Sequence, residues 1–241
     1  MATGAITVKD VNGRRDVPIA LPTTDLAEAV EGAELVLIPL PAIAQAGLFA
    51  NLAPLLKDGQ VVYMPPATFG SYLLVKAARE AGNTADFTCA ETGTLPWLCR
   101  KHGPAEVAIS VRATRLPTGC FPAKNHDHAF AVISKAFPVI EPIEDALSGA
   151  LMNAGPIIHP PLIIMNAGPL EHFDAWDIHN EGTQPSIRRT TDKLDAERIA
   201  VREAFGYKPP HFPLADHYDD ARDEWMYGNS SHEKLTDSGD W

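Results

Sequence analysis

The chain is poor in cysteine. Cys89, Cys99 and Cys120 are the three in 241 residues, and none falls in a C-x-x-C or C-x-x-H spacing. An odd count without ligand spacing argues against a disulfide framework or a structural zinc site. Basic residues are also scarce: 20 Lys and Arg against 31 Asp and Glu, for a formal net charge of −11. Phosphate binding needs a basic field, so a nucleic-acid partner is not expected. Long apolar runs are missing, because residues 35–40 and 162–165 fall far short of a bilayer crossing. The start, Met-Ala-Thr-Gly-Ala, shows no basic stretch followed by an apolar one. Together these absences lead to the expectation of a cytoplasmic protein with reduced thiols, no membrane contact and no bound metal.

One further absence bears on chemistry. No G-x-G-x-x-G sequence follows a strand and opens a helix anywhere in the chain, and Gly4 and Gly13 do not supply one. Such a loop brings backbone N–H groups and a helix N-terminus to a cofactor pyrophosphate. If the chain has a dinucleotide-binding sheet, the first βαβ unit is expected to precede Met1.

What is present suits a soluble two-part chain: 45% hydrophobic and 21% charged residues, ordinary values for a packed core. Residues 25–89 alternate between helix and strand signals. A helix over 25–30 is expected to be capped by Thr24. A continuously apolar run at 34–39 reads as a strand buried on both faces of a parallel sheet. A helix over 42–56, a strand over 60–64, a helix over 71–81 ended by Gly82-Asn83, and a strand over 86–89 follow. This rhythm predicts a Rossmann-like, doubly wound α/β sheet lacking its first βαβ unit. Strands at 106–111 and 115–120, a helix at 128–136 and a strand at 139–142 come next.

From residue 144 helix signals dominate: 146–152, then 157–170 broken by its prolines, then 185–205 with Pro185 inside the start and Gly206 past the end. The domains are accordingly an incomplete Rossmann-like unit over 1–145 and a partial, mainly α-helical unit over 146–241. Its Pro-, Asp- and Gly-rich tail from residue 208 reads as irregular.

Ligands of open α/β sheets bind beyond the carboxyl ends of the strands. Pro39, Leu40 and Pro41, the turn after the first strong strand, are therefore candidate cofactor contacts, although prolines that merely end a strand would look the same. The equivalent turn of the next strand, 65–70, carries the same two readings. The segment 91–100 gathers a carboxylate, two hydroxyls, an indole, a thiol and a guanidinium where a small substrate could meet them. Cys99 within it is either a substrate neighbour or a small buried hydrophobe. His159 is the candidate catalytic residue, since an imidazole near neutrality can be acid or base. Asn153 lies six residues before it and Pro160-Pro161 directly after. Histidines 126 and 128, and 172 and 179, lack metal-ligand helical spacing and read as solvated loop residues. Arg188, Asp192 and Asp195 share a helix face and read as an ion-pair stripe.

Several stretches together resemble the opine dehydrogenase family of the octopine and nopaline type. They are 24–29, Glu91-Thr-Gly-Thr94 through Cys99-Arg100, Leu151-Met-Asn153 through His159-Pro160, Met165-Asn-Ala-Gly168, Gly182-Thr-Gln-Pro-Ser186 and Asp195-Ala-Glu-Arg198. The resemblance implies a Rossmann-like domain and an α-helical domain with substrate in the cleft between them. It implies reductive condensation of an amino acid with a 2-oxo acid using NAD or NADP. His159 matches the family's catalytic histidine, and Asn153 and Cys99 match positions near the amino-acid substrate. The family's R-Y-x-x-E-D stretch, which supplies a carboxylate-holding arginine and the histidine's aspartate partner, does not occur here. A central fragment, weakly active or inactive alone, is expected, with a homodimer as the assembly it allows. The alternatives are a non-catalytic remnant that binds a small acid or a protein, and a related reductase of simple 2-oxo acids.

Overall fold

The computed structural model describes residues 4–66 and 69–218. It opens with a hairpin that periodicity did not reveal, Ala5–Asp10 (β1) against Gly13–Pro18 (β2). Its one local signal is Asn12-Gly13. Gly13 takes φ +92°, which a residue without Cβ adopts freely, so the chain can reverse there.

The alternating segment then builds Leu26–Val30 (α1), Leu35–Leu37 (β3), Ala42–Leu52 (α2), Val61–Met64 (β4), Gly70–Glu80 (α3) and Thr88–Thr92 (β5). Trp97–Gly103 (β6), Glu106–Arg112 (β7), Leu116–Phe121 (β8), His126–Ile133 (α4) and Ile140–Pro142 (β9) follow. Two sheets result. One has the order β2-β1-β7-β6, and the other β3-β4-β5-β8-β9. In the second, β3, β4 and β5 run parallel, β8 pairs antiparallel with β5, and β9 runs parallel to β8.

The five-stranded sheet carries the core because its central strands are apolar on both sides. Successive side chains of a strand point to opposite faces. Val62, Met64 and Cys89 meet Phe49, Leu52, Leu74 and Ala78 of α2 and α3. Val61, Tyr63 and Ala90 face the other way, toward Ala129, Val132, Ile133 and Phe137. Each such large apolar side chain contributes roughly 1.5–3 kcal/mol by leaving water. The Rossmann-like α/β expectation is met in this sheet.

Several local expectations change. Asp25, not Thr24, caps α1, accepting from the N–H groups of Ala27 and Glu28. The strand expected to be buried on both faces is in fact an edge: β3 pairs with β4 alone, and Leu37 is exposed. The strand expected over 86–89 runs on through Thr92, which pulls Glu91 into the sheet.

Beyond β9 come Ala146–Ala150 (α5), Gly155–Met165 (α6), Ala167–His172 (α7) and Pro185–Ala204 (α8). The run 146–165 is long and apolar enough to cross a bilayer by composition, but it is two helices parted at 151–154. Pro160 and Pro161 were expected to break the helix, yet both lie inside α6. Burial of Pro161 and Leu162, with Ile157 and Ile158 against Met152, Phe212 and Leu214, outweighs the two lost N–H donors.

The stretch after residue 208 is also not irregular throughout, because Phe212 and Leu214 are core residues. Asp195 and Arg198 hold it. Asp195 Oδ2 accepts from Leu214 N at 2.7 Å, and Arg198 Nη2 donates to the carbonyls of His211 and Phe212. The expected stripe with Arg188 and Asp192 is thus replaced by a buried Asp195–Arg198 pair at 2.7 Å. The part of the tail from residue 219 lies outside the described residues.

Candidate functional site

Three glycines set the site. A Cβ on Gly119 would lie 1.8 Å from the Asp145 carbonyl oxygen, one on Gly149 2.5 Å from that of Glu91, and one on Gly93 2.4 Å from Met152 Cβ. The bare backbones therefore let α5 rest directly on β5 and β8. They also bring the α5–α6 turn to the carboxyl end of β5, where ligands of open α/β sheets bind.

Asn153 follows that contact. Its Oδ1 accepts from Gly155 N at 2.9 Å and so starts α6. One turn on, His159 Nδ1 lies 3.1 Å from the Gly155 carbonyl oxygen, with the residue exposed. A carbonyl can only accept, so Nδ1 carries the hydrogen and Nε2 is the basic nitrogen of the neutral ring.

A second histidine stands beside it. The His179 ring is 6.0 Å from that of His159, centroid to centroid, and perpendicular to it. Asp177 shapes the loop, accepting from the N–H groups of His179 and Asn180 and from Asn180 Nδ2. Buried Asn166 ties this loop to α6, donating to the carbonyls of Leu162 and Gly182 and accepting from Trp176 Nε1. Gly182 must be glycine, since a Cβ would meet Ile178 O at 2.6 Å. Burial, the neighbouring His159 and the Arg100 guanidinium hold His179 below its ordinary value of 6.5, against the opposing pull of Asp177. Burial alone would raise the Asp177 carboxyl, but its hydrogen bonds from Asn180 and His179 lower it.

Of the neighbouring groups, sequence reading places Arg100 among those gathered over 91–100 and His179 among solvated loop residues. Arg100 lies on β6, paired with Ala108, and its charge acts on His179. Cys99 is exposed on the same strand. Pro39, Leu40 and Pro41 are exposed at the end of β3; Pro41 precedes α2 with no side-chain cap, and Gln45 Nε2 donates to Leu40 O at 3.2 Å. Glu91, expected to face substrate, is instead fully buried, and its carboxylate caps α3 through Phe69 N (3.0 Å) and Ser71 N (2.7 Å). His128 Nε2 bonds to the Gly59 carbonyl at 2.8 Å and so helps fasten α4. Among the described residues no three His, Cys, Asp or Glu side chains converge as metal ligands.

The thiols give a direct check on this placement. Burial raises Cys89 well above the usual thiol value and pushes Cys120 up to about 12. The native protein should therefore react with a disulfide reagent at one thiol, Cys99, and at three when unfolded. Two fast native equivalents would contradict the packing of β5 and β8.

Residues 142–241 match the family described as NAD/NADP octopine/nopaline dehydrogenase, alpha-helical domain. The likeness is to the opine dehydrogenases. The opine dehydrogenase of Arthrobacter sp. (strain 1C) is 32% identical over 189 residues, covering 78% of this chain and 52% of that protein. Octopine dehydrogenase solved with NADH and agmatine superposes with a TM-score of 0.62 at 18% identity, over 84% of this chain and 53% of that one. A PanE/ApbA family ketopantoate reductase from Ralstonia eutropha JMP134 shares the fold at a TM-score of 0.54 and 16% identity, over 86% of this chain and 63% of that one. The chain spans about half the length of the curated relatives it matches.

Proposed function

We propose that this opine dehydrogenase-like chain carries the substrate face of an NAD(P)-dependent oxidoreductase that joins an amino acid to a 2-oxo acid as a secondary amine. The observation that carries the reading is His159: exposed on α6, one turn after Gly155, with Nδ1–H committed to Gly155 O. Its Nε2 is then the atom that exchanges a proton with the carbonyl-derived group. Asn153, fixed by its bond to Gly155 N, and Cys99 are assigned to the amino-acid side.

A nicotinamide dinucleotide supplies the hydride when bound. Pro39, Leu40, Pro41 and the uncapped first turn of α2 would offer it a wall, but the 241-residue sequence contains no G-x-G-x-x-G loop to cradle its pyrophosphate. The residues present thus do not hold the whole cofactor. What they contribute is orientation of substrate in the cleft and the proton at His159.

Incubation with NADH or NADPH, pyruvate and an amino-acid panel, followed by mass spectrometry, tests the reading. A cofactor-dependent secondary amine is expected, formed far more slowly than the usual 1–10³ turnovers per second, a range of roughly three decades. An alcohol product would instead make the chain a reductase of simple 2-oxo acids. No product at all would leave a small-acid or protein-binding remnant.

A further inference from the structure

We propose that residues 207–214 form an acid-released strap, bolted to α8 by the neutral ring of His211. The bolt is the contact of that ring with Arg202, whose Nε donates to His211 Nδ1 at 3.2 Å. A guanidinium can only donate, so the bond exists only while Nδ1 is bare and the ring hydrogen sits on Nε2. A proton added to Nδ1 would set N–H against N–H between two cations.

Arg202 has nowhere else to turn. Its side chain is fully buried. Nη1 donates to the carbonyl and hydroxyl oxygens of Ser148 on α5, at 2.6 and 3.0 Å, and Nη2 has no hydrogen-bond partner. Losing the ring nitrogen would leave a second buried donor unmet, a costly state. The strap also holds a strained residue. Phe212 has φ +49°, a left-handed conformation that a residue with a Cβ keeps only where its surroundings fix it. Arg198 fixes it through the carbonyls of His211 and Phe212, and the Arg115 guanidinium lies 4.7 Å from the centre of the Phe212 ring. Strain beside a titratable contact favours release once that contact is lost.

The charged groups around the His211 ring are Arg202, Arg198 and Glu203 of α8, and Glu144 just before α5. Glu203 Oε1 lies 3.9 Å from Nε2. Asp145, Asp195 and Arg115 bear on other residues of the strap: Tyr207, Leu214 and Phe212. Burial and the two guanidiniums hold the ring below its ordinary value of 6.5, against the pull of Glu203 and Glu144. A histidine held low in the folded state contributes its stability in full above the ordinary value, and loses it as pH falls toward the folded one. Because Arg202 also grips Ser148, release would loosen α5, the helix that leads into Asn153. The device is independent of the chemistry assigned to His159.

Hydrogen exchange of the full chain tests the strap at two amides, Lys208 N on Glu144 and Leu214 N on Asp195. Corrected for the intrinsic effect of pH, their protection should fall roughly tenfold from about pH 7.5 to about pH 5.5, the latter one unit below the ordinary histidine value. Nitrogen NMR of the His211 ring should show a bare Nδ1 at the higher pH, and its protonation should share a midpoint with the loss of protection. His211→Asn places an oxygen that does not titrate near the position of Nδ1, so protection should then stay flat across the range. His179→Asn should leave the fall intact. An equal fall in His211→Asn, hydrogen on Nδ1 at the higher pH, or a ring that protonates while the strap stays protected would each overturn the proposal. The last two are read on the parent chain and decide the matter even where His211→Asn does not fold.

Discussion

Gly119→Ala, a change of one methyl group, should cost about 3 kcal/mol or more of stability. The added carbon would stand 1.8 Å from the Asp145 carbonyl oxygen and 2.3 Å from its carbon. Both are backbone atoms, and neither can swing aside as a flexible side chain would. Gly119 pairs with Glu91 across the sheet, so relief has to come from α5 lifting off β5 and β8. That movement would carry Met152, Asn153 and the start of α6 with it. For a chain of this size the melting temperature should fall by roughly 6–12 °C. Gly47→Ala is the control: it sits in α2 with open space around its Cβ position, and should stabilise by about 0.5–1 kcal/mol. A Gly119→Ala protein melting with the parent would show that α5 does not rest on the sheet.

Asp195→Ala should be comparably damaging, by about 3–5 kcal/mol in urea unfolding. Its carboxylate meets two demands at once: Arg198 Nε at 2.7 Å and Leu214 N at 2.7 Å. All three residues are buried, so removal leaves a guanidinium and an amide without water to replace the lost oxygens. Part of the Arg198 charge stays satisfied by the carbonyls of Leu151, His211 and Phe212, which keeps the loss from being larger. Limited proteolysis should open the chain first near residues 207–214 in the variant. Asp195→Asn keeps one acceptor of the same shape and should lose less. A loss under about 1 kcal/mol for Asp195→Ala would mean that α8 does not anchor the following segment.

How much of this was legible in the sequence depended on where each residue's partners lie. The helices α2, α3 and α8 were readable because their apolar spacing and stop residues are local; Gly82 and Gly206 take φ +78° and +81° where the helices end. Strand β4 showed as an apolar run because both faces of that sheet are covered. The hairpin β1–β2 did not show, since every residue of β2 is exposed and no alternation marks it.

The site divided along the same line. His159 was found because Asn153, Gly155 and the prolines around it are neighbours in sequence. Glu91 was misread because the helix end it caps lies some twenty residues earlier, and a carboxylate on its own looks like a surface group. Asp195 was read into an ion-pair stripe with Arg188 and Asp192 because the backbone N–H that it accepts from sits at residue 214. His179 was read as a solvated loop residue because only the fold sets its ring beside that of His159.

The most direct measurement is nitrogen NMR of the ring of His159 at a pH where the imidazole is neutral. The account predicts hydrogen on Nδ1, bonded to the Gly155 carbonyl, and a bare Nε2 that shifts when a 2-oxo acid binds. Hydrogen found on Nε2, with Nδ1 bare, would contradict it.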